Sequence, residues 1–156
     1  MAGCSDGTTL RPPFLVLAPT PRDPVPPPAL VVTDVVGEWR VTASYQGRSY
    51  TEDFYWPRTS SPFLLTLSEA RLQLDTPCRV CGGAVSYSPA VVTLGPVTCA
   101  PTACQLDPVV AQQTDAIVFN LHEAMSMYRL DGSTGAPRML SLTSSRGSVD
   151  IERWDR

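Results

Sequence analysis

The sequence predicts a mainly β fold: an antiparallel sheet of about eight strands, curled or closed into a small barrel, with one α-helix packed on it. Three observations lead there. Apolar residues recur with period two in a series of short runs from Val35 onward, clusters of Gly, Pro, Ser and Asp separate those runs, and one segment carries helical spacing instead. A sheet of that many strands is too large to stay flat, so it should roll up or split into two packed layers.

The first run places Val35, Trp39, Val41, Ala43 and Tyr45 on one parity and Glu38, Arg40, Thr42 and Ser44 on the other, the pattern of a half-buried strand. Trp39 is its core anchor. A second strand runs from Tyr50 to Trp56 and stops at Pro57. Phe63, Leu65 and Leu67 supply a third, and Leu72 and Leu74 a fourth, after the break at Ser68-Glu69-Ala70. A fifth from Cys81 to Tyr87 and a sixth from Val91 to Thr98 form a hairpin about Ser88-Pro89-Ala90. The last three strands, Ser126 to Leu130, Arg138 to Thr143 and Ser148 to Arg153, read as a meander because only turn chemistry separates them.

Asp107 followed by Pro108 is an N-cap with proline in the first helical position. Val110, Ile117, Leu121 and Ala124 then share one helical face, and the helix should end near His122.

Ahead of the strands lies a different kind of chain. Of 16 prolines in 156 residues, eight fall within the first 30, and proline neither donates a hydrogen bond nor leaves its φ free. Residues 1–32 therefore read as tail and linker and residues 33–156 as the domain. Phe14-Leu15-Val16-Leu17 is apolar enough to lie against the domain as an edge strand, flanked by prolines that would stop it extending. At the start, Ala2-Gly3-Cys4-Ser5 resembles the cleavage site of a bacterial lipoprotein signal, with residues 1–3 a remnant of the signal and Cys4 the residue that would carry lipid.

Net charge is −3 with no run of basic residues, so the electrostatic footprint of a nucleic-acid binder is missing. All 12 basic residues are Arg, which removes lysine Schiff-base chemistry and a phosphate-loop lysine. No apolar stretch reaches the ~18 residues a membrane helix needs.

The remaining cysteines are arranged C-x2-C, 17 residues, C-x4-C: Cys78, Cys81, Cys99 and Cys104. In a hairpin centred on Ala90, opposed residues have numbers that add to about 180. Cys81 with Cys99 meets that and Cys78 with Cys104 comes within two, whereas the crossed pairs miss on both sides. Two nested disulfides follow, since bridged α-carbons must approach within roughly 7 Å. The competing zinc reading takes Cys78-Arg79-Val80-Cys81-Gly82-Gly83 as half of a zinc knuckle, but Cys99 and Cys104 have four residues between them where a zinc ribbon has two.

His122 is the lone histidine, so any Ser-His or Cys-His mechanism would have to run through it. Its place at the end of a helix suits capping of carbonyls or interaction with the helix dipole instead. Glu52 with Asp53, and Asp150 with Glu152, lie on solvated strand faces or on opposite faces and make no acid/base pair. No G-x-S-x-G elbow, phosphate loop or histidine cluster occurs. The expectation is a protein that is not an enzyme and carries no cofactor or metal.

Several segments together resemble the META domain, the family of HslJ-like bacterial envelope lipoproteins. Covering roughly residues 33–153, they are Gly37-Glu38-Trp39-Arg40-Val41, Thr76-Pro77-Cys78-Arg79-Val80-Cys81-Gly82-Gly83, Leu94-Gly95-Pro96-Val97-Thr98-Cys99-Ala100-Pro101-Thr102-Ala103-Cys104, and Asn120-Leu121-His122-Glu123-Ala124 leading to Met127-Tyr128-Arg129-Leu130-Asp131-Gly132. Arg79 departs from the family, which commonly has Asn there, and so does Ala100, where Thr is frequent. The resemblance implies a β-rich envelope domain with one helix, often lipid-anchored and facing the periplasm or exterior, related to stress and without an established catalytic activity. Its partners would be an unknown envelope protein and, through lipid on Cys4, the membrane.

Two further uses of such a domain are a small apolar ligand held in the barrel, and inhibition of an extracellular protease by a rigid loop from Thr98 to Cys104. Inward side chains such as Trp39, Tyr45, Phe54, Leu65 and Leu74 would fill an eight-stranded barrel and leave little room for cargo.

Overall fold

The computed structural model describes residues 30–46, 54–55, 62–77, 79–101, 107–132 and 134–155. They form α1 (Val32–Val35), β1 (Gly37–Gln46), β2 (Phe54–Tyr55), β3 (Leu64–Leu67), β4 (Arg71–Asp75), β5 (Val80–Ser88), β6 (Val91–Leu94), β7 (Thr98–Cys99), α2 (Pro108–Asn120), β8 (Ala124–Arg129), β9 (Met139–Thr143) and β10 (Gly147–Arg153).

The sheet closes. Around the barrel the order is β1, β3, β4, β5, β6, β8, β9, β10, and β10 pairs back onto β1, every neighbour antiparallel. The eight-stranded barrel and its C-terminal meander are as the periodicity predicts. Two short strands lie alongside: β2 extends the β3 side of β1 opposite Ser44 and Tyr45, and β7 extends the β6 side of β5. The sixth predicted strand is thus broken, because Gly95-Pro96-Val97 leaves the ladder, and proline has no amide to continue it.

Three expectations are corrected at β1. Val35 belongs to α1, where it is wholly buried. Leu30, assigned to the linker, packs into the core at 4% exposure. The single parity fails past Val41, because Val41 faces Ile151 but Ala43 faces Asp150, leaving Thr42 as an extra residue. Such a bulge flips every later side chain to the other face. Ser44 therefore opposes the buried Val149 and is itself 1% exposed, while Tyr45 lies outward and hydrogen-bonds Asp150.

Inside, Trp39, Val41, Leu65, Leu67, Leu72, Leu74, Met125, Leu140, Leu142 and Ile151 belong to one continuous buried cluster. The Phe54 side chain falls outside the described part.

Candidate functional site

Helix α2 closes one end of the barrel. The Asp107 carboxylate accepts from the Val109 amide at 2.8 Å, satisfying one of the unpaired donors of the first turn. Val110 and Ile117 enter the core as predicted, but so do the polar Gln113, Thr114 and Asn120. Thr114 is satisfied by donating to the Val110 carbonyl at 2.8 Å. Asn120, wholly buried, donates at 2.8 Å to both the Ser44 hydroxyl and the Tyr45 carbonyl, and at 3.4 Å to the Ser148 carbonyl. It joins the helix to both strands of the closing seam. Gly147 makes this possible, because a Cβ there would run into the Tyr45 carbonyl and the Asn120 amide. Ala124, placed on the helix by its spacing, is an exposed residue of β8, since the chain turns at Leu121–Glu123.

Beyond the helix, the chain forms one wall of a surface groove of about 400 Å³ lined by Val118, Phe119, Leu121, His122, Glu123 and Arg146, facing Leu94–Val97. Glu123 sits in the left-handed region at φ 44, and its carbonyl accepts the Leu94 amide at 2.8 Å. A non-glycine residue is rarely held there. The opposite wall leads directly into Cys99, which is bonded to Cys81 across β5 and β7 with α-carbons 3.9 Å apart. Arg146 stacks over Phe119, 4.8 Å from the ring centre.

The other end of the barrel is plugged by α1. Trp39 donates its indole N–H to the Val35 carbonyl at 2.7 Å, and Arg153, directly opposite Trp39, covers the ring. Burial draws the Arg153 guanidinium below its ordinary value, with Asp155 and Asp34 acting in the opposite sense.

The predicted Cys81–Cys99 bridge is present, so those two sulfurs are not free to bind zinc. Cys78, Cys104 and Cys4, like Phe14–Leu17, Glu52 and Asp53, lie outside the described residues, and the Thr98-to-Cys104 loop is described only to Pro101. His122 directly follows the C-cap of the helix. The helix stops at Asn120, Leu121 closes its last turn, and the His122 Nε2 faces Glu123 at 3.4 Å on the groove rim. Among the described residues no hydroxyl or thiol hydrogen-bonds it. Asp150 and Glu152 both point out from β10. Glu152 pairs with Arg40 at 2.6 Å, while burial raises the Asp150 carboxyl above its ordinary value against the hydrogen bonds from Ser141 and Tyr45. Sequence reasoning missed Asn120, Arg146 and Arg153. A polar residue at a helical position that faces the core is the one signal that could have marked Asn120.

No family model matches the chain, and no curated protein matches it. Among solved structures the chain is similar to a protein from Burkholderia xenovorans determined by NMR, with 18% identity and a TM-score of 0.53 over 76% of this chain and 82% of the other. A likeness at that identity speaks for the fold alone.

Proposed function

We propose that this protein is a non-enzymatic module of the bacterial cell envelope, META-like and related to the HslJ-type lipoproteins, held to the membrane by lipid on Cys4. Its rigid barrel offers an outer surface to an envelope protein. The observation that carries the reading is the division between inside and outside. The inward faces are packed into one apolar cluster, whereas three grooves lined by described residues open on the outer surface. The Cys81–Cys99 bridge adds support, because disulfides persist in oxidising compartments.

The test combines compartment with contact. Cells are labelled with a palmitate analogue, and a photo-crosslinking amino acid is placed in turn at Val31, Phe119 and Tyr128, all on the surface. The expected result is a labelled envelope protein whose label is lost in Cys4→Ser, with crosslinked adducts from at least one position. An unlabelled cytoplasmic protein without adducts overturns the reading. So does saturable uptake of an apolar dye that changes Trp39 fluorescence, which would favour a ligand carrier.

A further inference from the structure

Phe119 is 46% exposed on α2, and the core does not need it, since Ile117 and Leu121 on either side of it already face inward. The ring forms a ridge between two grooves. One is the 400 Å³ groove against Leu94–Val97; the other, of about 630 Å³, follows the helix past Pro108, Ala111 and Ala116 to Gln46. A half-wet aromatic between two clefts has apolar surface left to bury.

Charge on the rim is unbalanced in one respect. Of the acidic groups lining the grooves, Asp115 is paired with Arg79 at 3.4 Å, and Glu123, at the far end of the groove from the Cys99 wall, lies 3.4 Å from His122, a contact that is an ion pair only with His122 protonated. Arg146 is held above Phe119 and, among the described residues, no carboxylate pairs with it. A guanidinium stacked on an aromatic face keeps its N–H edge for a planar anion. Both walls are fixed in advance, one by the left-handed Glu123 whose carbonyl holds Leu94, the other by the bridge at Cys99. Rigid walls reduce the ordering cost of binding.

The geometry points to a docking site for an extended segment of a partner protein, in which an apolar side chain enters the cleft between Val97 and Leu121 and an acidic side chain pairs with Arg146 above Phe119. The grooves continue on both sides of the ridge, so the occupant passes across the helix, and the anion is a side-chain carboxylate rather than a chain end. This inference rests on the interaction-module reading and specifies the chemistry of the partner.

The experiment titrates the full 156-residue chain, isotopically labelled, with the peptide acetyl-Ala-Leu-Phe-Glu-Leu-Ala-amide and with its Gln counterpart, following amide shifts by NMR. Saturable shifts confined to the groove residues are expected, roughly tenfold weaker for the Gln peptide and for Arg146→Glu with the Glu peptide. Replacing the peptide Glu by Lys should restore binding to Arg146→Glu. Arg146 is exposed, so an unchanged spectrum elsewhere shows that the variant is folded. Absence of saturable shifts at millimolar peptide, shifts away from the groove, or equal binding of the Glu and Gln peptides overturns the site. The in-cell crosslinks separate this failure from failure of the module reading. Adducts from Tyr128 or Val31 but none from Phe119 sink the groove alone, and none from any position sinks the module as well.

Discussion

The guanidinium of Arg153 lies 4.1 Å from the centre of the Trp39 ring. From that position it donates to the Val36 carbonyl at 2.9 Å and the Asp34 carbonyl at 2.7 Å. One side chain at the end of β10 thus covers the principal core aromatic of β1 and satisfies the carbonyls at the end of α1. Gly37 leaves room for it: at φ 141 it adopts a backbone that side chains rarely take, and a Cβ there would meet the guanidinium.

Trp39→Ala should therefore lose about 3–5 kcal/mol of stability. Trp39→Phe keeps most of the volume but strands the buried Val35 carbonyl, for about 1–3 kcal/mol. Arg153→Lys retains charge without the fork that reaches two carbonyls and should also destabilise. Denaturant unfolding checks the series, and a Trp39→Ala midpoint equal to wild type would contradict the plug.

At the opposite end, Gly147→Ala should cost about 1–3 kcal/mol, since its Cβ overlaps the Tyr45 carbonyl and the Asn120 amide. Asn120→Ala removes the donor that Ser44 and Tyr45 share, for a similar loss of about 1–3 kcal/mol. The double variant should lose less than the two together, because removing the amide relieves part of the overlap. Strict additivity would show that the two residues do not share the seam.

Cys81→Ser with Cys99→Ser should lower stability by about 3 kcal/mol in the chain-entropy picture, for a sequence separation of 18. Peptide mapping without reductant should recover the two residues in one linked peptide. Recovery of both as alkylated free thiols would refute the bridge.

Tyr87 provides a pH test. Burial raises its hydroxyl from 10.0 to about 12, and the hydroxyl donates to the Ser68 carbonyl at 2.7 Å. The folded state therefore holds this proton more tightly than the unfolded chain. The associated stability is complete below pH 10 and is lost as pH rises through about 12. Tyr87→Phe should flatten that alkaline decline. A decline identical to wild type would assign it to other groups.

Local chemistry explains what could be read without the fold. The Asp107-Pro108 cap places the start of α2 because the donors it satisfies lie within one turn. The hairpin about Pro89-Ala90 pairs β5 with β6 one residue away from the register centred on Ala90, as Tyr87 opposite Val92 shows, and the break at Gly95-Pro96-Val97 supplies the one-residue shift that brings Cys99 opposite Cys81. Strand parity identifies Trp39, Leu65 and Leu74 as core because period two needs no distant partner. The same rule misplaces Tyr45, since nothing near Thr42 in the sequence announces a bulge that appears only when β1 must match β10 more than a hundred residues away.

The groove was not legible for the same reason. Val97, Phe119 and Arg146 come from three stretches of chain that converge only after the barrel has closed. By itself, then, the sequence determined most of the strands, the helix start, the hairpin that brings β5 beside β6 and the partners of one disulfide, all governed by contacts among near neighbours, while the exact hairpin register was not among them. Closure of β10 onto β1, the reversal of faces after Thr42, the buried Asn120 seam and the Arg153 cover were decided by tertiary structure, because each depends on groups the chain brings together only by folding.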